Sequence, residues 1–215
     1  EVVKKFGKLI DLDPWMLNPF PAKCSDVNFQ EGEGEDALAA SVDVLLAKIR
    51  KKYKEYGIKE KPFVIVKPDA GTYGTGIMTV RDASEVRDLS RKQRDKMSIV
   101  KDGKVVTDVI IQEGVPTFES IKDAVAEPVV YMIDRYVVGG FYRVHAEKGV
   151  DQNLNAPGSQ YVPLAFAQQH AVPDLKAKPG TAAPNRFYVY GVVARLALLA
   201  ASLEMERTDP NPEVY

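Results

Sequence analysis

Cysteine is almost absent, with Cys24 the only one in 215 residues. A single thiol can form no internal disulfide and no cysteine-rich zinc site, and it fits a reducing, cytoplasmic setting. Histidine is nearly as scarce: His145 and His170 are too few for a histidine-rich metal centre. Cys24 with either histidine is the one nucleophile–base pairing left open, and no convincing triad surrounds it. An excess of one charge is missing too, since 29 basic and 30 acidic residues leave a net charge of −1. Such a chain has no global field to hold nucleic acid or an anionic membrane, so neither is expected as a partner. The longest apolar stretch, Phe187 to Leu203, is broken by Arg195 and reads as a buried core helix rather than a membrane span. No secretory or lipidation signal is visible, and the chain opens at Glu1 without Met, as a piece of a longer polypeptide would.

What is present is an ordinary globular composition, 45% apolar and 27% charged, long enough to bury a core without staples. Residues 1–34 read as irregular, punctuated by Pro14, Pro19, Pro21 and the run Glu31-Gly-Glu-Gly34. An amphipathic helix is predicted over 35–56, with Leu38, Val42, Leu45, Leu46, Ile49, Tyr53 and Tyr56 on one face and Gly57 to stop it. Short strands follow at 63–66 and 77–80. A polar helix then starts at Asp82-Ala-Ser-Glu85 and runs to about Lys96, with a strand over 105–112 after it. The basic cluster Lys48, Arg50, Lys51, Lys52 and Lys54 reads as a solvated helix end before a nucleic-acid patch, and a nucleic-acid surface on Arg87, Arg91, Lys92, Arg94 and Lys96 is a distant alternative. Residues 126–144 read as a hairpin turning at Gly139-Gly140. A loop over 149–158, a closing helix at about 187–206 and a loose tail from Asp209 complete the chain.

The chemistry concentrates in four places. The segment Phe63-Val-Ile-Val-Lys67-Pro-Asp-Ala-Gly71-Thr72-Tyr73-Gly74-Thr75-Gly76 puts a lysine at a strand end before three glycines. Glycines let backbone N–H groups converge on phosphate oxygens, and the lysine adds a point charge. Because the lysine precedes the glycines and a strand follows them, the loop is neither a Walker A nor a dinucleotide fingerprint. It reads as a hairpin tip able to fold over a triphosphate, or as a plain glycine-rich turn. The strand end Gln112-Glu113-Gly114-Val115 offers a backbone edge to an adenine and a carboxylate to a ribose hydroxyl. Glu127 and Arg143 stand at the two ends of the hairpin, as site groups or as a cross-strand ion pair. The loop Asp151-Gln-Asn153-Leu-Asn155-Ala-Pro-Gly158 supplies hard oxygen atoms of the kind Mg2+ prefers, or simply turns the chain.

This order of strand, lysine, glycine flap, adenine-reading strand end, arginine hairpin and Asn-Leu loop resembles the ATP-grasp ligases, and in layout bacterial glutathione synthetase. The runs Lys67–Gly74, Ile110–Val115, Ala126–His145 and Asn153–Gly158, with Asp13-Pro-Trp15, Asn18-Pro19 and the last helix, look like proteobacterial glutamate–cysteine ligase of the ATP-grasp type. The resemblance implies an α/β (α+β) fold of mostly antiparallel sheets with flanking helices and a glycine-rich flap. It implies three segments: 1–60 as part of a larger domain, 61–112 as a flap subdomain and 113–215 as a catalytic subdomain. It implies a ligase that joins the glutamate γ-carboxylate to the cysteine amine through a γ-glutamyl phosphate, the first step of glutathione biosynthesis, with ATP and Mg2+. Other ATP-grasp carboxylate–amine ligases and an inactive nucleotide-binding fragment are the alternatives, and self-association is left open. Lys67 would bind the phosphates under the Gly71–Gly76 flap. Gln112, Glu113 and Val115 would line the adenine and ribose. Arg143 would stabilise the transferring phosphoryl group, and Glu127, Asn153 and Asn155 would serve metal or substrate.

Overall fold

The computed structural model describes residues 1–70, 76–98, 105–163 and 186–210. Its helices are α1 (Val2–Ile10), α2 (Glu35–Tyr56), α3 (Ser84–Arg87), α4 (Arg91–Ser98) and α5 (Arg186–Thr208). Its strands are β1 (Pro21–Cys24), β2 (Val64–Pro68), β3 (Met78–Val80), β4 (Val109–Glu113), β5 (Ser120–Ile121), β6 (Ala124–Ile133), β7 (Tyr136–His145) and β8 (Gln160–Pro163). They form two four-stranded sheets, in the orders β1-β4-β2-β3 and β5-β6-β7-β8, with every pairing among the described strands antiparallel. The mixed α/β class with antiparallel sheets and helices is therefore present. The chain divides into two compact units. One comprises Glu1–Asn18, Phe118–Glu147 and Gly158–Tyr215, the other Pro19–Thr117 and Lys148–Pro157. Both units are discontinuous in sequence.

In the second unit, α2 has the predicted bounds, and Gly57 caps it in the left-handed region. Leu38, Val42, Leu45, Leu46, Ile49 and Tyr53 are buried, while Tyr56 stays exposed. This face packs on one side of the first sheet, the side of Val64, Val66, Val80, Val109 and Ile111, which are all fully buried. The expected polar helix is two helices instead. Ser90 ends the first by capping the second: its hydroxyl and N–H both donate to Gln93 Oε1, at 2.6 and 2.9 Å. Ser90-Arg-Lys-Gln93 is a capping box inside the stretch read as one helix. The strand expected at 105–112 begins only at Val109.

Residues 1–34 are less irregular than expected, since α1 covers Val2–Ile10 in the first unit and β1 begins at Pro21 in the second. Val2, Phe6 and Ile10 lie at helical spacing, and Asp11 ends the helix in the left-handed region (φ 53°) as the Leu12 N–H donates to the Gly7 carbonyl at 2.9 Å. The hairpin turns at Asp134-Arg135, with Ile133 opposite Tyr136, and not at Gly139-Gly140. Asp134 takes the left-handed conformation itself (φ 51°), and the two glycines pair inside β7 with Tyr131 and Val130. The Tyr131 and Phe141 rings meet with centroids 5.8 Å apart.

The closing helix α5 is not the buried core helix expected. Only 6% of its apolar window is buried, and Tyr188–Thr208 is long and apolar enough, with mean hydropathy 1.4, to cross a membrane by length and composition alone. The tail beyond Pro210 lies outside the described residues.

Candidate functional site

The first sheet presents one face to α2, and the residues on its other face are partly or fully exposed. Register decides which residues stand on the open side. Lys23 of β1 pairs with Ile110 of β4, and Ile110 pairs on its other side with Lys67 of β2. Directly paired residues point to the same face, so Lys23, Ile110 and Lys67 form one row across three strands. Pro21, Gln112 and Ile65 form the next row, and Thr79 of β3 extends it. The open face therefore carries two ammonium groups over a floor of Ile65 and Ile110, with the exposed Gln112 beside them. An apolar floor suits a flat base, and the cations suit an anion.

Lys23 was not singled out from the sequence. Its signal was weak, a lone lysine in a four-residue strand between prolines and loops, and only the pairing through β4 reveals it. Its Nζ donates to Asp69 Oδ2 at 2.7 Å and stands 3.7 Å from Asp108. The Asp69 carboxylate accordingly holds the Lys23 ammonium above the usual lysine range. Asp108 is held below the usual carboxylate range, chiefly by the Ser25 hydroxyl.

Glu113 faces the other way. It pairs with the buried Val64, is itself 6% exposed, and its Oε2 accepts the Phe20 N–H at 2.9 Å. Val115 lies just past the strand, exposed. The adjacent Gly114 donates its N–H to the Phe63 carbonyl at 2.8 Å, and a Cβ there would overlap the Phe63 ring.

Gly76 closes the flap segment with φ +69°. A side chain there would also press on Pro68. Gly71, Thr72, Tyr73, Gly74 and Thr75 lie outside the described residues. Beside this point opens a cleft of about 560 Å3 within the second unit. Ile77, Met78 and Thr79 form one wall and Gln93, Lys96 and Met97 of α4 another, and Asn153 and Asn155 stand on the loop that completes it. Lys96 fixes the first wall by donating to the Ile77 carbonyl at 2.9 Å. The loop is held by its own chemistry. Leu154 is fully buried, Asp151 pairs with Arg81, the Thr117 N–H donates to the Val150 carbonyl at 2.7 Å, and Asn153 Oδ1 accepts the Asn155 N–H at 2.9 Å. The loop thus carries Asn153 and Asn155, both exposed, around a buried anchor between them. Their amide oxygens are hard donors without charge. They fit a Mg2+ ion that arrives with phosphate oxygens, and not one held by protein carboxylates. Among the described residues no cluster of three or more His, Cys, Asp or Glu side chains could hold a metal.

Glu127 and Arg143 belong to the first unit. They stand directly opposite on β6 and β7, and their side chains form an ion pair, the cross-strand alternative foreseen for them. Arg143 is half-buried, and its Nε has no hydrogen-bond partner among the described residues. Structure thus brings Lys67, Gln112, Asn153 and Asn155 into one unit and Glu127 with Arg143 into the other.

Comparison with known proteins adds to this geometry. The family model described as glutamate-cysteine ligase matches residues 1–205. A crystal structure from Methylobacillus flagellatus KT, named "Putative gamma-glutamylcysteine synthetase", is 62% identical with a TM-score of 0.83. The match covers 97% of this chain and 49% of that one, so this chain spans about half the length of that relative. A comparison with curated proteins finds none that matches.

Proposed function

The chain belongs to the glutamate–cysteine ligase family, and from that premise we propose that it carries the nucleotide-binding and phosphoryl-transfer part of an ATP-grasp enzyme. That enzyme joins the γ-carboxylate of glutamate to the amine of cysteine, in the cytoplasm. The observation that carries the reading is the row Lys23–Ile110–Lys67 on the open sheet face, bordered by Gln112.

A carboxylate resists attack by an amine because oxide is a poor leaving group. Transfer of the ATP γ-phosphoryl group to the glutamate carboxylate oxygen gives γ-glutamyl phosphate and ADP. The cysteine nitrogen then attacks the acyl carbon, the C–O bond to phosphate breaks, and the amine loses its proton. No side-chain nucleophile is required, so positioning and charge neutralisation do the work. Lys67, with Lys23 in the same row across β4, would meet the phosphates, the Gly71–Gly76 segment would cover them, and Ile65, Ile110 and Gln112 would take the base. Asn153 and Asn155 would hold Mg2+ together with phosphate oxygens, and the ion would supply neutralisation of phosphate charge. Arg143, oriented by Glu127, would take charge on the transferring group.

Calorimetry with Mg-ATP tests the nucleotide site directly. The expected Kd is micromolar, about 8 kcal/mol of binding, weakened at least tenfold by Lys67→Ala. A folded chain that binds no nucleotide would refute the site. The half-length match to the relative favours a second reading, in which this portion binds nucleotide but does not turn over alone. ATP binding without ADP release on addition of glutamate and cysteine would single that reading out.

A further inference from the structure

Helix α5 carries more apolar surface than its own unit covers. Tyr188, Val189, Val193, Leu198, Leu199 and Met205 are all exposed, Val189 and Leu199 by about half and Met205 by 72%. At about 100° per residue these six positions fall on more than half of the helix circumference. A helix apolar on most sides belongs in an interior. The contacts it makes with its own unit, to β6 and α1, include polar anchors spaced along its length. The Tyr190 hydroxyl donates to Glu119, Arg195 Nε donates to the Arg135 carbonyl at 2.8 Å, and Arg207 pairs with Glu1. Those anchors tie both halves of the helix to the first unit, which a bilayer-spanning helix could not keep. A second copy meeting it about a two-fold axis would cover a stripe, not most of the circumference. The solved relative, meanwhile, has about as much chain again outside the matched part.

We propose that the exposed apolar surface of α5 is the docking surface for the half of a full-length family polypeptide that lies outside these 215 residues. The inference rests on family membership and on exposure, and not on the nucleotide reading, so either can fail alone. Its occupant is a protein surface rich in aliphatic side chains, wrapped around α5 and continuous with it in one polypeptide.

Thiol labelling tests this with little background, because the native Cys24 is buried. Val193→Cys and Leu198→Cys are made separately in the 215-residue chain. Each is also made in a long polypeptide in which this chain replaces the matched half of the Methylobacillus flagellatus protein. Both thiols are expected to react with a maleimide freely in the short chain and at least 100-fold more slowly in the long one, the difference vanishing in denaturant. Val193→Lys with Leu198→Lys should leave the melting temperature of the short chain unchanged and lower that of the long one. Equal labelling rates in the two would overturn the proposal. So would slow labelling in the short chain at every concentration, which means the face is covered from within. Labelling that slows only as the short chain is concentrated would assign the face to a second copy. Slowing only on addition of phosphatidylglycerol vesicles would assign it to a membrane.

Discussion

At the scale of single residues, side-chain direction separates two neighbours that sequence reading treated alike. Gln112 stands on the open face, whereas Glu113 points into the α2 side and accepts the Phe20 N–H. Glu113→Gln keeps an acceptor for that N–H and is expected to fold. Glu113→Ala leaves a part-buried donor without this acceptor and should cost about 1–3 kcal/mol, read from urea unfolding midpoints. If Glu113→Ala is instead neutral for stability, the buried role assigned to it is wrong. Asp108 gives a pH dependence with a definite sign. Its pKa is depressed in the folded chain by the Ser25 and Thr107 hydroxyls, so its contribution is present above the ordinary aspartate value of about 4 and is lost as pH falls below it. Asp108→Asn should lower stability slightly near neutral pH and leave it unchanged in acid, which flattens the acid limb of a stability-against-pH profile, the effect staying small because the group is solvent-screened.

At the scale of elements, legibility followed the strength of the local pattern. Helix α2 was readable to the residue because seven apolar positions, an acidic start and a glycine stop all agree. Helix α1 was not, because only three turning positions mark it within a stretch crowded by later prolines. The hairpin strands were readable and their turn was not. Gly139-Gly140 is the stronger turn signal by composition, but the strand register needs the glycines opposite Tyr131 and Val130, and Asp134 tolerates the left-handed region instead. The open lysine row was invisible, because cross-strand pairing through β4 is a non-local fact that no spacing encodes. Two element-level outcomes follow. Ser90→Ala removes the cap that starts α4 and should cost about 1 kcal/mol, loosening the α4 wall of the cleft. Gly114→Ala forces a Cβ into the buried Phe63 ring and should destabilise by about 1–3 kcal/mol or more. Both are measured by denaturant unfolding of the intact chain, and a stabilised Gly114→Ala variant would contradict the close approach described.

At the scale of the whole molecule, the decisive feature is that neither unit is one stretch of chain. The ten residues Lys148–Pro157 leave the first unit and belong to the second. They bring both of its candidate amide ligands and a fully buried leucine. Folding of the second unit and presentation of Asn153 and Asn155 are therefore one event. Leu154→Ala empties a core position, and its cost should be that of a buried leucine, about 2–5 kcal/mol. The Asn153→Ala and Asn155→Ala pair removes exposed groups and should leave the urea midpoint nearly unchanged. On the proposed reading both changes weaken Mg-ATP binding, but for different reasons, and temperature separates them. At low temperature, where the Leu154→Ala chain is still folded, its affinity should recover most of the way to that of the parent. The asparagine variant should stay weak at every temperature, because what it lacks is donor atoms and not order. If the leucine variant loses stability and yet binds Mg-ATP normally even as its loop loosens, the loop is an anchor only, and the metal-facing role of Asn153 and Asn155 falls while the lysine row stands.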